Sequence, residues 1–284
     1  MGDDAAVVGA PVGPLLLAAD AVVEGVHADP GLTDLADLGW RALAACASDV
    51  AAMGGRPSAA LVTVTVPPDR DGGRLLDQLY DGIEAASAAL GCPVVGGDLT
   101  AGPGLVVAVA VTGTLDGGSE GPVLRSGARP GDTLLVTAAL GAAAAGLRLL
   151  RAGTPELGPA LVVAHRRPVA RVAEGRAART GGATAMIDLS DGLAADLRGL
   201  AAASGVGVVV DEVPVAAGAT AEEALVGGDD HELLVAAPDP AAVAASFAAA
   251  GLAQPVPIGR CTGDPAEVRL GDGDLPEGGW EHSW

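Results

Sequence analysis

The chain contains no lysine, because all 16 of its basic residues are arginine. A P-loop nucleotide site needs the lysine of GxxxxGK[ST], a protein kinase needs a strand lysine against the phosphates, and Schiff-base chemistry needs a lysine amine. The chain therefore belongs to none of these three classes of protein.

Aromatic residues are also scarce, at 2% of a chain that is 50% hydrophobic. The core is therefore predicted to consist of alanine, valine and leucine. The 284 residues suffice for one large domain or two of ordinary size. The 43 glycines and 20 prolines predict many turns, which favours a mixed α/β protein over a helical bundle.

Cysteines and long apolar segments are few. Cys46, Cys92 and Cys261 are widely spaced and form no CxxC pair, so we expect reduced thiols in a cytoplasmic protein. The longest uncharged stretch, residues 240–259, is interrupted by Gly251 and two prolines. It predicts a helix, a turn and a short strand rather than a membrane span, and the first residues do not resemble a signal peptide.

Acidic residues outnumber basic ones, 36 to 16, which gives a formal net charge of −20. Such a surface repels nucleic acid. A polyanionic substrate such as ATP would also be repelled unless divalent cations joined it to the protein. By composition alone, the simpler interpretation is a solvated acidic surface that serves solubility.

Short apolar runs of strand length alternate with longer segments of helical spacing. The predicted strands lie at residues 15–18, 60–66, 105–112, 133–137, 184–187, 206–210 and 232–236. The predicted helices lie at residues 34–53, 74–90, 140–150 and 193–203. The second and third strands look like neighbours in one sheet, which predicts a mixed α/β or α+β fold. A stretch rich in Gly, Pro and charge at 116–130 predicts two domains, residues 1–120 and 121–284.

Aspartates recur beside the predicted strands, and most of them could be turn formers or helix caps. That explanation fails for Asp49, which lies within the apolar run of the helix predicted at 34–53. A buried charge without a partner is costly, so Asp49 needs a cation or strong hydrogen bonds. Asp20 ends the first apolar strand, and Asp98 follows a short strand and the pair Gly96-Gly97.

Carboxylates gathered from several strands suit magnesium and phosphoryl transfer. Magnesium takes oxygen ligands, keeps several waters, and combines one or two carboxylates with substrate phosphates. Phosphoryl transfer needs mainly positioning and charge neutralisation from the protein. Glycines before Asp98 would let the backbone approach phosphate oxygens closely.

Taken in order, several segments resemble the thiamine-monophosphate kinase family of the aminoimidazole-ribonucleotide-synthetase superfamily. The matching segments are GDDAAVV at 2–8, EGVHAD at 24–29, RALAACASDVAAMGGRPSAAL at 41–61, VVGGDLT at 94–100, VLRSGARPGDTLLVT at 123–137, IDLSDGLAADL at 187–197 and GGDDHELL at 227–234. They cover nearly the whole chain, and the ordered set is specific where single motifs are not.

The resemblance implies a role for particular residues. The implied magnesium ligands are Asp4, Asp20, Asp49, Asp98, Asp188 and Asp191. The implied ATP contacts are Gly97, Asp98, Arg125, Ser190 and Tyr80. The implied contacts to the thiamine end of the substrate are His27, Asp229 and Trp280.

The resemblance also implies a fold and a reaction. An N-terminal sheet domain would pair with a second subunit to complete a barrel, and a C-terminal α/β domain would follow. ATP would bind in the cleft between the domains with several magnesium ions. The γ-phosphoryl group would pass directly to thiamine monophosphate, giving thiamine diphosphate and ADP.

Other functions remain open. Asp229-Asp230-His231-Glu232 stands where the family has Glu-Asp-Tyr-Glu, which alters the substrate end of the resemblance. One alternative is another ATP-using enzyme of the superfamily, such as an orphan kinase or an aminoimidazole-ribonucleotide-synthetase-like enzyme. The other is a degenerate, non-catalytic protein that binds nucleotide or metal.

Overall fold

The structure is a computed structural model that describes residue 9, residues 13–116 and residues 121–280. Asp4, one of the implied metal ligands, lies outside the described residues. Two β-sheets organise the described chain, one on each side of the stretch 116–130. The predicted mixed α/β class is thereby confirmed.

The N-terminal part is a four-stranded sheet with helices on one face. Along the sheet, the strands are β1 (Leu15–Val23), β4 (Val106–Thr114), β2 (Arg56–Val66) and β3 (Val94–Ala101). The covering helices are α1 (Leu35–Ala52) and α2 (Gly72–Leu90). The β2–β3 pair is parallel and the other two pairs are antiparallel. The predicted neighbours at 60–66 and 105–112 are therefore confirmed.

Local sequence explains where the two helices begin and end. The Asp34 carboxylate accepts a hydrogen bond from the Asp37 N–H at 2.8 Å, which caps the start of α1. Asp71 caps α2 in the same way, and Gly91 ends α2 in the left-handed conformation at φ +60°. Leu43, from α1, is fully buried in the core between the helices and the sheet.

The C-terminal part is a seven-stranded mixed sheet with helices on both faces. Along the sheet, the strands are β11 (Gly273–Asp274), β10 (Val268–Leu270), β7 (Gly207–Val210), β9 (Val256–Thr262), β5 (Thr133–Val136), β8 (Leu233–Ala237) and β6 (Ala185–Asp188). The helices are α3 (Ala142–Arg151), α4 (Pro159–Arg166), α5 (Val172–Thr180), α6 (Leu193–Ser204), α7 (Ala221–Val226) and α8 (Pro240–Ala249).

This sheet separates two apolar cores. Leu134 and Val136 face the core that contains α6, whereas Leu135 faces the core that contains α5 and α8. The alternation follows from the two-residue period of a strand that is covered on both faces. None of the described helices is both long enough and apolar enough to cross a membrane.

Two expectations about strand ends were wrong. Asp20 was expected to end its strand, but β1 continues to Val23 because it pairs with β4 along its full length. Asp98 was expected to follow its strand, but β3 runs through Gly97 and Asp98 to Ala101 and pairs with β2 throughout. A Cβ on Gly97 would lie 1.7 Å from the Val62 carbonyl oxygen. Glycine at 97 is therefore required by the close approach of the two strands.

Candidate active site

Helix α1 joins the two parts of the molecule and carries three residues of the candidate site. It packs on its own sheet and also contacts α4, α5 and β6 of the C-terminal part. Ser48 and Asp49 lie two turns after Arg41 on this helix. Side chains of α1 can therefore meet residues that are more than a hundred positions away in sequence.

An acidic centre forms where α1 meets β1 and β6. Burial, together with the nearby carboxylates of Asp188 and Asp20, raises the pKa of the Asp49 carboxyl to about 6. The Arg125 guanidinium and His231 act in the opposite direction on that pKa. Asp49 is thus repelled by two other implied metal ligands. A cation at the centre would relieve this repulsion.

Asp188 is held in its charged form inside the protein. It is only 3% exposed, accepts a hydrogen bond from Ser48 Oγ at 2.7 Å, and lies 3.3 Å from His231 Nδ1. Burial alone would raise the pKa of the Asp188 carboxyl, but His231 and Ser48 hold it below its ordinary value. The same contact raises the pKa of His231 although burial opposes its charge. The two residues form a buried hydrogen-bonded pair.

Two cavities open beside the acidic centre. The larger cavity, of about 890 Å³, is lined by Asp20, His27, Arg41, Ser190, Asp191, Asp229 and Trp280 among others. The smaller cavity, of about 580 Å³, is lined by Leu17, Asp49, Met53, Val123, Arg125 and Met186 among others. Asp20 faces the first and Asp49 the second, so the carboxylates stand between the two cavities.

The larger cavity has an aromatic wall made of His27 and Trp280. Their ring centroids are 6.3 Å apart and their planes are tilted by 52°. His27 Nδ1 accepts a hydrogen bond from the Val23 N–H at 3.1 Å. The neutral ring therefore carries its proton on Nε2. The backbone N–H of Trp280 donates to the Asp191 carbonyl oxygen at 2.9 Å, which brings the end of the described chain onto this cavity.

The segment Gly227–Glu232 contacts α1, α3 and β6, together with the residues next to β5 and α5. Asp229 binds Arg41 of α1, and the Asp230 carboxylate accepts the Gly141 and Ala143 N–H groups at the start of α3. His231 binds Asp188 at the end of β6, and Glu232 binds Arg171 and Thr137.

The backbone of this segment is unusual at two positions. Asp229 and His231 adopt positive φ angles of 68° and 50°. This conformation is uncommon for residues other than glycine.

Most of the implied site residues are thus brought together, and three are not. Asp98 and Gly97 lie on β3, at the opposite edge of the sheet from Asp20, about 14 Å away across three strand spacings. Asp98 pairs with Thr63, on the face of the sheet that lies opposite α1. Tyr80 packs half-buried against the N-terminal core, where burial raises the pKa of its hydroxyl.

Comparison with known proteins identifies the family. The domains described as AIR synthase related protein, N-terminal domain and C-terminal domain match residues 2–115 and 129–271. A thiamine-monophosphate kinase of Halobacterium salinarum is 40% identical over 99% of this chain and 94% of its own length. The chain belongs to the AIR synthase related family, in its thiamine-monophosphate kinase branch.

Solved structures agree with this family. The crystal structure of thiamine-monophosphate kinase from Stenotrophomonas maltophilia superposes with a TM-score of 0.86, at 32% identity over 97% of this chain and 90% of that chain. A structure described as AaThiL complexed with AMPPCP and TMP superposes with a TM-score of 0.82, at 31% identity over 95% of this chain and 87% of that chain. The predicted two-domain synthetase-like architecture is confirmed.

The family's implied metal fits the donors that this chain presents. Among the residues that the structure describes, no three His, Cys, Asp or Glu side chains are grouped closely enough to hold a metal ion by themselves. Asp20, Asp49 and Asp188 nevertheless share one electrostatic environment and offer only oxygen atoms. This donor set suits magnesium that completes its coordination with waters and nucleotide phosphates.

Several residues of the site were not among those that the resemblance implied. Arg41 and His165 line the larger cavity, Ser48 binds Asp188, and Asp230 caps α3. The Asp196 carboxylate accepts the Asp191 and Gly192 N–H groups at 3.1 Å each and holds the segment between β6 and α6. Burial and the carboxylates of Asp191 and Asp188 raise the pKa of Asp196 to about 7. In the sequence, the only signal for Asp196 is the excess of acidic residues at positions 188–196.

Proposed function

We propose that this protein is a magnesium-dependent thiamine-monophosphate kinase, which transfers the γ-phosphoryl group of ATP to the phosphate of thiamine monophosphate. The observation that carries the proposal is the acidic centre between two cavities of different character. A phosphoryl group must pass between two bound molecules, and both of them are negatively charged at the point of transfer. Carboxylates that bind cations at this point would allow the negative charges to be neutralised.

The smaller cavity suits the nucleotide. Leu17, Met53, Val123 and Met186 provide apolar surface for a base, and Arg125 provides an exposed guanidinium beside Asp49. Arginine is suited to phosphate oxygens because its donors are fixed in a planar fork. Ser190 lines the larger cavity and offers a hydroxyl on the other side of the acidic centre.

The larger cavity suits the phosphate acceptor. His27 and Trp280 provide ring surfaces for an aromatic heterocycle, and Asp229 provides a hydrogen-bond acceptor for an amino group. The acceptor's phosphate would then lie toward Asp20 and Asp191. Magnesium, when bound by Asp20, Asp49, Asp188 and Asp191, would neutralise the phosphate oxygens and hold the two phosphates in line. The product would be thiamine diphosphate together with ADP.

The proposal includes a homodimer in the cytoplasm. Leu17 and Leu61 are 74% and 46% exposed on the face of the N-terminal sheet that lies opposite α1. An apolar sheet surface of this kind favours a partner, and a second copy would close the sheet into a barrel. Asp98 lies at this open surface, away from the centre, and stays a predicted ligand. Asp4 lies outside the described residues and also stays a predicted ligand.

The test is an assay of the purified protein with ATP, magnesium and thiamine monophosphate, in which thiamine diphosphate and ADP are both quantified. We expect one thiamine diphosphate for each ADP, and no product when magnesium is chelated. ADP formed only with another acceptor would favour another ATP-using enzyme of the superfamily. Magnesium-dependent ATP binding without turnover on any acceptor would favour a non-catalytic binding protein.

A further inference from the structure

Arg41 is an arginine buried in the wall of the larger cavity. It is 4% exposed, and its Nη1 donates to Asp229 Oδ2 at 3.0 Å. Its Nη2 donates to the His165 carbonyl oxygen and lies 3.2 Å from His165 Nδ1. Nη1 also lies 3.5 Å from the His27 carbonyl oxygen. One guanidinium therefore joins the loop after β1, the end of α4 and the segment that carries Asp229.

The contact fixes the state of the Asp229 carboxyl. Burial would raise the pKa of Asp229, but Arg41 and the histidines nearby hold it below its ordinary value. The Asp229 side chain remains 42% exposed, toward the cavity. Among the described residues, no group donates to its second oxygen, Oδ1. Oδ2 of Asp229 is thus bound to Arg41, and Oδ1 is available as a charged hydrogen-bond acceptor for a molecule in the cavity.

A purely structural role explains Arg41 less well. The Nε of Arg41 is buried without a hydrogen-bond partner in the described part of the chain, and an unsatisfied buried donor is costly. An apolar side chain of similar size would join α1 to α4 without that cost. The same two helices are already joined by the ion pair between Arg167 and Asp37, which lies outside the cavity lining.

We propose that Arg41 is a positioning residue that determines acceptor affinity, because its guanidinium binds Oδ2 of Asp229 and leaves Oδ1 oriented to receive an N–H group of the acceptor. The inference rests on the proposed function, since thiamine monophosphate is the acceptor that the cavity is proposed to take. Arg41 acts through Asp229 and does not touch the phosphates. Its loss should therefore weaken binding of the acceptor and leave binding of the nucleotide unchanged.

The first measurement compares Arg41→Met with Arg167→Met. Calorimetric titration gives the Kd of thiamine monophosphate in the presence of magnesium and a non-hydrolysable ATP analogue, and steady-state kinetics gives KM for each substrate. We expect Arg41→Met to raise the acceptor Kd and KM about tenfold or more, as for loss of a hydrogen bond to a charged group. The KM of ATP should stay within about twofold.

Arg167→Met is the matched control. Arg167 connects the same two helices through Asp37 and stacks on Trp40, with its guanidinium 5.6 Å from the ring centroid. Its substitution should lower the melting temperature and leave both KM values unchanged. If Arg41→Met lowers only the melting temperature as well, Arg41 is a structural contact and the inference is wrong.

A double-mutant cycle tests the route through Asp229. Asp229→Asn keeps the shape and tolerates the positive φ, but it removes the charge. It should raise the acceptor Kd about as much as Arg41→Met, and the double variant should raise it no further. Additive effects would mean that Arg41 acts independently of Asp229, which contradicts the proposal. If Arg41→Met does not fold, Arg41→Gln, which keeps a donor for the His165 carbonyl, takes its place.

Wild-type behaviour separates this inference from the proposed function. If the wild type binds and phosphorylates thiamine monophosphate while Arg41→Met binds it equally well, the inference fails and the proposed function stands. If the wild type binds thiamine monophosphate without turnover, the titrations still decide the role of Arg41. If the wild type neither binds nor phosphorylates it, both are wrong.

Discussion

Asp49 is the residue whose surroundings are most unfavourable without a cation. Its carboxylate is half-buried on α1 and faces the carboxylates of Asp188 and Asp20. We expect Asp49→Asn to reduce turnover by at least about a hundredfold and to leave the circular dichroism spectrum unchanged, because a charge is lost while the shape is kept. Thiamine diphosphate formation measures the loss. Near-normal turnover would remove Asp49 from the metal site.

The same substitution should stabilise the metal-free protein near neutral pH. The Asp49 carboxyl binds its proton more tightly in the folded chain, with a pKa of about 6, than in the unfolded chain, where it has its ordinary lower value. Its contribution to the free energy of unfolding therefore falls as the pH rises from about 4 to about 6. An asparagine at this position does not ionise, so Asp49→Asn should raise the free energy of unfolding by about 1–2 kcal/mol at pH 7.5 and change it little at pH 4. Thermal unfolding of both proteins at the two pH values, with EDTA present, measures the difference.

Arg125 should show the opposite kinetic pattern to Arg41. It is an exposed guanidinium beside Asp49 in the smaller cavity, which is proposed to take the nucleotide. Arg125→Gln should raise the KM of ATP about tenfold and change the KM of the acceptor little. Arg129→Gln, also exposed but outside both cavity linings, is the control and should change neither value. If Arg125→Gln raised only the KM of the acceptor, the smaller cavity would take the acceptor and the larger cavity the nucleotide.

At the scale of elements, Asp230 connects the start of α3 to the segment that carries Asp229. Gly141, the residue before α3, has no side chain that could cap the helix, and the Asp230 carboxylate accepts the free N–H groups in its place. Asp230→Ala should therefore cost about 1 kcal/mol of stability. It should also raise the acceptor KM, because the segment that carries Asp229 would no longer be held at the start of α3.

The control for this effect is a cap that touches no cavity. Asp239 accepts the N–H groups of Ala241 and Ala242 at the start of α8, at 3.0 and 3.1 Å. Asp239→Ala should lower the melting temperature by a similar amount, a few degrees, and leave both KM values unchanged. Equal kinetics for Asp230→Ala and the wild type would show that the cap is structural only.

At the scale of the whole molecule, the open face of the N-terminal sheet should decide the oligomeric state. Leu61 is 46% exposed on β2, in the middle of this face. Leu61→Glu should convert a dimer to a monomer in sedimentation experiments, because a charge would be buried at the interface. The control is Leu157→Glu, since Leu157 is 73% exposed on a short 3-10 helix of the C-terminal part. A monomeric wild type would refute the predicted barrel.

Much of the fold could be predicted from local pattern. The seven predicted strands and four predicted helices all fall on observed elements, because the strands are short apolar runs, most of them flanked closely by Gly, Pro or Asp, and the helices carry helical spacing. The bounds of β1 and β3 could not be predicted. They depend on pairing with β4 and β2, and pairing extends a strand past residues such as Asp20 and Gly97 that have low strand preference.

The candidate site, like the fold, could be predicted from the sequence only in part. By itself, the sequence determined the chemical class of the protein: it has no lysine, has an ordered set of acids, and has one charge, Asp49, inside the apolar run at 42–53. Only the tertiary structure decided that Arg41 meets His165 and Asp229, which lie 124 and 188 residues away, and that Asp98 stands apart from the other acids. Hydrophobic periodicity specifies which face of an element is buried, whereas the partners of a buried charge depend on how distant elements pack against each other.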